Sequence, residues 1–217
     1  MSVSGSVANW AHVGGLLFGV AGAFAFHLGV EADTEAIRNE AEYYAGSGIA
    51  GAAAVKYAQL AERAPDDPYI LLEKAKAEAA SRHETAVPRS MENAAADAAK
   101  VVDLFLKQGR RDEALAAAHD LTDRPCSLEL LPRTLLIAGS LAETKRDFAF
   151  SAQVYGDLIR RAPAESPEAE KAWYRLAHVY NAAGLPDDAR KVWAVYRQRY
   201  PGSSWVQYAD SPLIALG

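Results

Sequence analysis

The sequence predicts an all-α chain: one membrane-spanning helix at the N-terminus, followed by a solenoid of stacked helical hairpins. Three observations predict it. All 23 Lys and Arg and all 28 Asp and Glu of the 217 residues lie beyond Val30, so the first thirty positions carry no charged side chain. After Val30 alanine is abundant, β-branched residues are sparse, and apolar positions recur three and four residues apart, as on helices with one buried face. Glycines and prolines then cut the charged part into segments of single-helix length, at Gly46 and Gly48, Pro65 and Pro68, Pro88, Gly109, Pro125, Pro132, Pro163 and Pro167, Gly184 and Pro186, and Pro201.

Composition removes several classes of function. A net charge of -5 with no basic block argues against nucleic acid as a partner, because phosphate contacts need clustered Lys and Arg. The short pairs Arg110-Arg111 and Arg160-Arg161 read as solvated helix ends. A single cysteine, Cys126, excludes an intramolecular disulfide framework and a cysteine-based zinc site. His83, His119 and His178 have no metal-ligand spacing and read as surface histidines, so neither metal nor cofactor is expected.

From Val7 to Val30 the chain is polar only at Asn9, His12 and His27. As a helix this segment is about 36 Å long, enough to cross a hydrocarbon core of about 30 Å. Ala21-Gly22-Ala23 has the look of a signal-peptidase site, but no Lys or Arg precedes the apolar run as a secretory signal requires. On a helical projection Ala8, His12, Gly15, Gly19, Gly22 and Ala23 share one face, and Trp10, Leu17, Phe24 and Leu28 the other. Gly15-x-x-x-Gly19 would let a second helix approach closely, with His12 aimed into that contact.

The run Ala8-Asn9-Trp10-Ala11-His12-Val13-Gly14-Gly15-Leu16-Leu17-Phe18-Gly19 resembles the sixth, histidine-bearing span of the rhomboid intramembrane serine proteases, whose pattern is Ala-His-x-x-Gly-x-x-x-Gly. The resemblance implies His12 as general base to a serine, with Gly15 and Gly19 packing against the serine helix, and a transmembrane protein as substrate. It covers only the first thirty residues. The Gly-x-Ser-Gly motif that would carry the nucleophile is absent, Ala45-Gly46-Ser47-Gly48 being the nearest string, and so are the other spans. The chain is therefore expected to be the C-terminal portion of a rhomboid-like endopeptidase, inactive alone, or else a non-catalytic, single-span scaffold binding partner peptides. A periplasmic repeat protein released by signal cleavage is a third reading. Flanking charge does not orient the span, and the resemblance alone implies an integral membrane protein with its remainder in the cytoplasm.

That remainder repeats itself. Trp173, Leu176, Ala177, Tyr180, Gly184, Ala189, Trp193 and Pro201 fall at the spacing of the 34-residue tetratricopeptide pattern, which the segment resembles. Leu135, Ala138, Gly139, Ala142, Ser151, Tyr155, Leu158 and Pro163 form the preceding copy, with Arg146 where the loop glycine belongs. Ile37, Ala41, Tyr44, Gly48, Ala53, Tyr57, Leu60 and Pro65 form another, and Val101, Val102, Phe105, Gly109, Ala114, Ala118 and Leu121 a weaker one. Small residues at Ala41, Gly139 and Ala177 would let the helices of a hairpin touch, with Tyr57, Tyr155 and Trp193 filling the layer between hairpins. Tyr69 to His83 reads as a first helix without its partner. The helix count is odd, so one helix between Tyr69 and Asp123 breaks the alternation, and the sequence leaves open which.

The expected organisation is a span over 1–30, a repeat domain over 31–200, and a C-terminal tail over 201–217 that starts with a capping helix through Tyr208. Stacked hairpins present a groove lined by their first helices, the usual seat of a peptide partner. In the last repeat Lys171, Tyr174, Arg175, His178 and Asn181 would face it, a cationic and hydrogen-bonding set suited to an acidic segment. Asp66-Asp67 and Asp187-Asp188 are expected to precede helices and read as their caps.

Overall fold

The fold was read from a computed structural model, which describes residues 22, 31–81, 88–123 and 129–206. Nine helices occur among these residues: α1 over 31–46, α2 (Ala50–Arg63), α3 (Pro68–Ser81), α4 (Pro88–Lys107), α5 (Arg111–Thr122), α6 (Pro132–Thr144), α7 (Phe148–Arg161), α8 (Pro167–Ala182) and α9 (Pro186–Arg199). Five of them open on proline, whose missing N–H and fixed φ are tolerated in the first turn of a helix. Side chains cap three helices, two of them among those five: Asp147 accepts from the Phe150 N–H of α7 at 3.1 Å, Ser166 from the Ala169 N–H of α8 at 3.1 Å, and Asp67 from the Tyr69 N–H of α3 at 2.9 Å. Asp187 and Asp188 lie inside the first turn of α9 and pair with Arg190 and Lys191.

Four turns share one hydrogen-bond pattern. The N–H groups of Ile49, Arg110, Asp147 and Leu185 donate to the carbonyls of Tyr44, Phe105, Ala142 and Tyr180, at 2.9, 2.8, 2.9 and 2.8 Å. The residue before each donor is left-handed: Gly48, Gly109 and Gly184 at φ 73°, 73° and 77°, and Arg146 at 61°. Arg146 therefore takes the glycine's backbone conformation despite its Cβ. These turns define the hairpins α1/α2, α4/α5, α6/α7 and α8/α9, which makes α3 the odd helix. It is wedged between α2 and α4 and buried on opposite sides: Ile70 and Ala77 join the core of the first hairpin, while Leu71, Leu72, Ala75 and Ala79 join the large central core.

Within the hairpins a small residue on the first helix faces a large one on the second. Ala41 shares a core with Tyr57, and Ala177 with Trp193. At Gly139 the fit is tightest: a Cβ there would stand 2.5 Å from Tyr155 Cε1, inside any real contact distance. The α4/α5 hairpin inverts the order, with Val102 on the first helix and Ala118 on the second, both fully buried. No aromatic residue fills this hairpin at the position of Tyr57, Tyr155 and Trp193, which is why the repeat pattern reads weakly there.

One expectation is corrected. Among the described residues no helix is long and apolar enough to cross a membrane; the longest, α4, carries Asp97, Lys100 and Asp103 along its length. The reading as an integral membrane protein is withdrawn. The segment 7–30 that prompted it, with His12, Gly15 and Gly19, lies outside the described residues apart from Gly22. Of the capping helix expected from Ser203 through Tyr208, the described residues run through turns to a 3-10 residue at Val206, and the rest lies outside the described residues.

Candidate functional site

The residues that the sequence singles out in the last repeat fall on α8, one face of which looks across to α6. Lys171, Tyr174, Arg175 and His178 recur at three- and four-residue spacing, so the helix places them in one stripe. They line a cleft of about 370 Å³, completed by Glu143 from α6 and by Trp205 from the turn after α9. Asn181, one turn further along α8, does not line it.

Aromatic rings build one wall. Tyr174 is packed 4.9 Å from Trp205, 5.5 Å from Trp193 and 4.5 Å from the His178 imidazole, centroid to centroid. The turn carrying Trp205 is tied down by Ser203, whose Oγ lies 2.7 Å from the Tyr196 hydroxyl and accepts the Trp205 N–H at 3.2 Å. Tyr200 adds a hydrogen bond from its hydroxyl to the Ala164 carbonyl at 2.6 Å. Trp205 is thus a fixed wall of the cleft.

The other wall is polar. Arg175 donates to one oxygen of Glu143 at 3.1 Å, and the Tyr155 hydroxyl donates to the other. Burial, reinforced by Glu143, pushes the Tyr155 phenol well above its ordinary pKa, so it stays a donor. Burial also holds the His178 imidazole below its ordinary value, helped by Arg175 and opposed by Glu143. Its Nε2 is buried without a hydrogen-bond partner among the described residues, which suits a neutral ring. Lys171 at the rim is exposed and has no ion pair with another described residue. With Glu143 offsetting Arg175, the cleft keeps one positive charge.

No protein-family model matches the chain, and no curated protein matches it. Among solved structures it is similar to one titled "Crystal structure of MamA protein", at 14% identity and a TM-score of 0.38, over 81% of this chain and 94% of that one. The rhomboid resemblance is overturned on two findings: no family model matches the chain, and among the described residues no helix is long and apolar enough to cross a membrane. The expected serine endopeptidase and its transmembrane substrate fall with it. The string Ala45-Gly46-Ser47-Gly48 spans the end of α1 and the α1/α2 turn, its Ser47 N–H bonded to the Tyr43 carbonyl at 2.9 Å.

Of the five residues expected at the groove, four are brought together and Asn181 is left out. Two lining residues, Glu143 and Trp205, escape the sequence reading. Glu143 stands three residues before Arg146, as Asn181 stands three before Gly184, so moving the inner-face positions back one repeat would have found it. Trp205 follows the end of the repeat pattern and carries no such signal. The histidines also differ from expectation. His119 stacks on Phe150 at 3.6 Å and pairs with Asp147 at 3.1 Å, and His178 is half-buried; neither is a free surface residue. His83 lies outside the described residues. Among the described residues no cluster of His, Cys, Asp or Glu could hold a metal ion.

Proposed function

We propose that this chain is a helical-repeat scaffold that binds a protein partner, an extended segment of which seats in the cleft between α6, α8 and Trp205. One observation carries the reading: a preformed recess on the first helices of two successive hairpins, with an aromatic wall, a polar wall and at its rim a cation, Lys171, that has no ion pair among the described residues. Sites of this composition hold ligands because the apolar wall supplies affinity while a few fixed polar groups supply orientation. The all-α hairpin architecture supports it too, since stacked hairpins hold neighbouring inner faces in fixed register.

Selection of peptides on the full chain from a displayed random library tests this. Reversing the charge at Arg175 sets two carboxylates side by side in the cleft. Selected peptides are expected to lose at least about tenfold in affinity for the Arg175→Glu variant, since one truncated or reversed charge at a desolvated contact costs that much or more. Selected peptides that bind wild type and variant equally would place binding elsewhere on the molecule.

A further inference from the structure

The cleft's internal ion pair says more about what it accepts. Glu143 is held at both oxygens, by the Tyr155 hydroxyl and by Arg175 Nη1 at 3.1 Å. A carboxylate thus already occupies the Arg175 guanidinium. Beside it runs the Tyr174 and Trp205 wall, and Lys171 stands at the rim without a carboxylate of its own among the described residues. Resting on the scaffold reading above, we propose that the partner segment carries an acidic side chain next to an aromatic one, and that Glu143 competes with that acidic group for Arg175.

The chemistry follows from the inventory. Lys171 and Arg175 are permanent donors that pair with carboxylate and repel a cationic segment. The Tyr174 ring and the Trp205 indole, 4.9 Å apart, offer an aromatic side chain an edge or an offset face. An incoming carboxylate reaches Lys171 at the exposed rim first. To engage Arg175 it must share a guanidinium whose inner partner, Glu143, is only 19% exposed and does not leave readily. The occupant is an acidic side chain within a segment, because the cation that receives it lies at the rim, where a chain can pass on rather than end.

Four acetylated, amidated and fluorescently labelled probes sharing one Gly-rich frame test this by anisotropy on the full chain: Phe-Asp, Phe-Asn, Ala-Asp and Phe-Lys. Phe-Asp is expected to bind at least about tenfold more tightly than each of the others, and to lose affinity in high salt. Lys171→Glu should remove that preference. Glu143→Gln keeps an acceptor for Tyr155 but frees Arg175 of its charge partner, and should tighten Phe-Asp binding about tenfold while leaving Phe-Asn unchanged. A residue that merely braces the cleft would weaken binding when altered, not strengthen it. Equal binding of Phe-Asp and Phe-Asn, or a Glu143→Gln variant with unaltered or weaker Phe-Asp affinity, overturns the inference. If library peptides still depend on Arg175 but carry no acidic residue, this chemistry is wrong while the scaffold reading stands.

Discussion

The first and last hairpins share a skeleton and differ in nearly everything they show to solvent. Both turn on a left-handed glycine, Gly48 and Gly184, and both set a fully buried alanine, Ala41 and Ala177, against an aromatic residue, Tyr57 and Trp193. Aligned on those glycines, the stripe Lys171, Tyr174, Arg175, His178 of α8 corresponds to Glu35, Arg38, Asn39, Glu42 of α1, with no added aromatic ring and the opposite charge balance. The positions by which α8 joins the central core, Ala169, Ala172, Leu176 and Val179, correspond to Asp33, Ala36, Glu40 and Tyr43. Those four are exposed, and Glu40 is paired to Lys56. Packing positions therefore repeat because each hairpin needs them to close. Positions outside that need are free to specialise, and in the last hairpin they form a cleft.

Three perturbations probe that comparison. The largest effect is expected from removing the aromatic plug. Tyr155 is fully buried in the central core, whereas Tyr57 retains 6% exposure in the smaller core of the first hairpin. Tyr155→Ala should cost about 4 kcal/mol, more than Tyr57→Ala, because it opens a cavity and also takes a donor from Glu143. Urea midpoints of the two variants would decide it, and equal losses would mean that central and terminal hairpins close equally well.

A smaller effect belongs to the turns. Arg146 holds at φ 61° a conformation that the other three turns give to glycine, so Arg146→Gly should relieve local strain and raise stability by up to about 1 kcal/mol. The same midpoint measurement checks it, and a destabilised variant would show that the arginine's contacts outweigh its backbone cost.

The smallest is a pH effect that the first hairpin lacks, since 31–63 contains no histidine. Burial lowers the His178 pKa in the folded chain, so the unfolded chain takes up that proton first. The stability this contributes is complete above the ordinary histidine value of about 6.5 and is lost as pH falls below it. The difference in urea midpoint between wild type and His178→Gln should then shrink or reverse between pH 7 and pH 5, and a constant difference would show that His178 does not titrate in that interval.

Much of this was legible in the residues, for a physical reason. Spacings such as Gly139 to Tyr155 are set by the geometry of closing a hairpin, so they survive as a pattern even where Arg146 replaces glycine. Contacts made across repeats leave less of a trace. The repeat register marks Glu143 as an inner-face position, but nothing local marks it as the partner of Arg175, thirty-two residues away. Trp205 joins the cleft only because the turn at Ser203 brings the chain back. Which helix was supernumerary was hidden as well, because α3 has the alanine-rich composition of its neighbours; only the shared turn geometry singles it out. The N-terminal segment misled most. An uncharged run with a histidine beside spaced glycines satisfies the rhomboid pattern on a handful of small residues, and no family model supports it.

The extra helix has an effect on symmetry. In a two-layer stack whose helices alternate, one unpaired helix exchanges the layers for everything after it. The packing of α3 with α5 and of α6 with α8, and the stacking of His119 in α5 on Phe150 in α7, follow that exchanged order. The leading helix of the first hairpin then belongs to the same sheet of helices as the trailing helices of the others. What α1 turns outward as Glu35 and Glu42 is therefore not the far end of the surface that holds Lys171 and Arg175 but its reverse side, like the two faces of a coin.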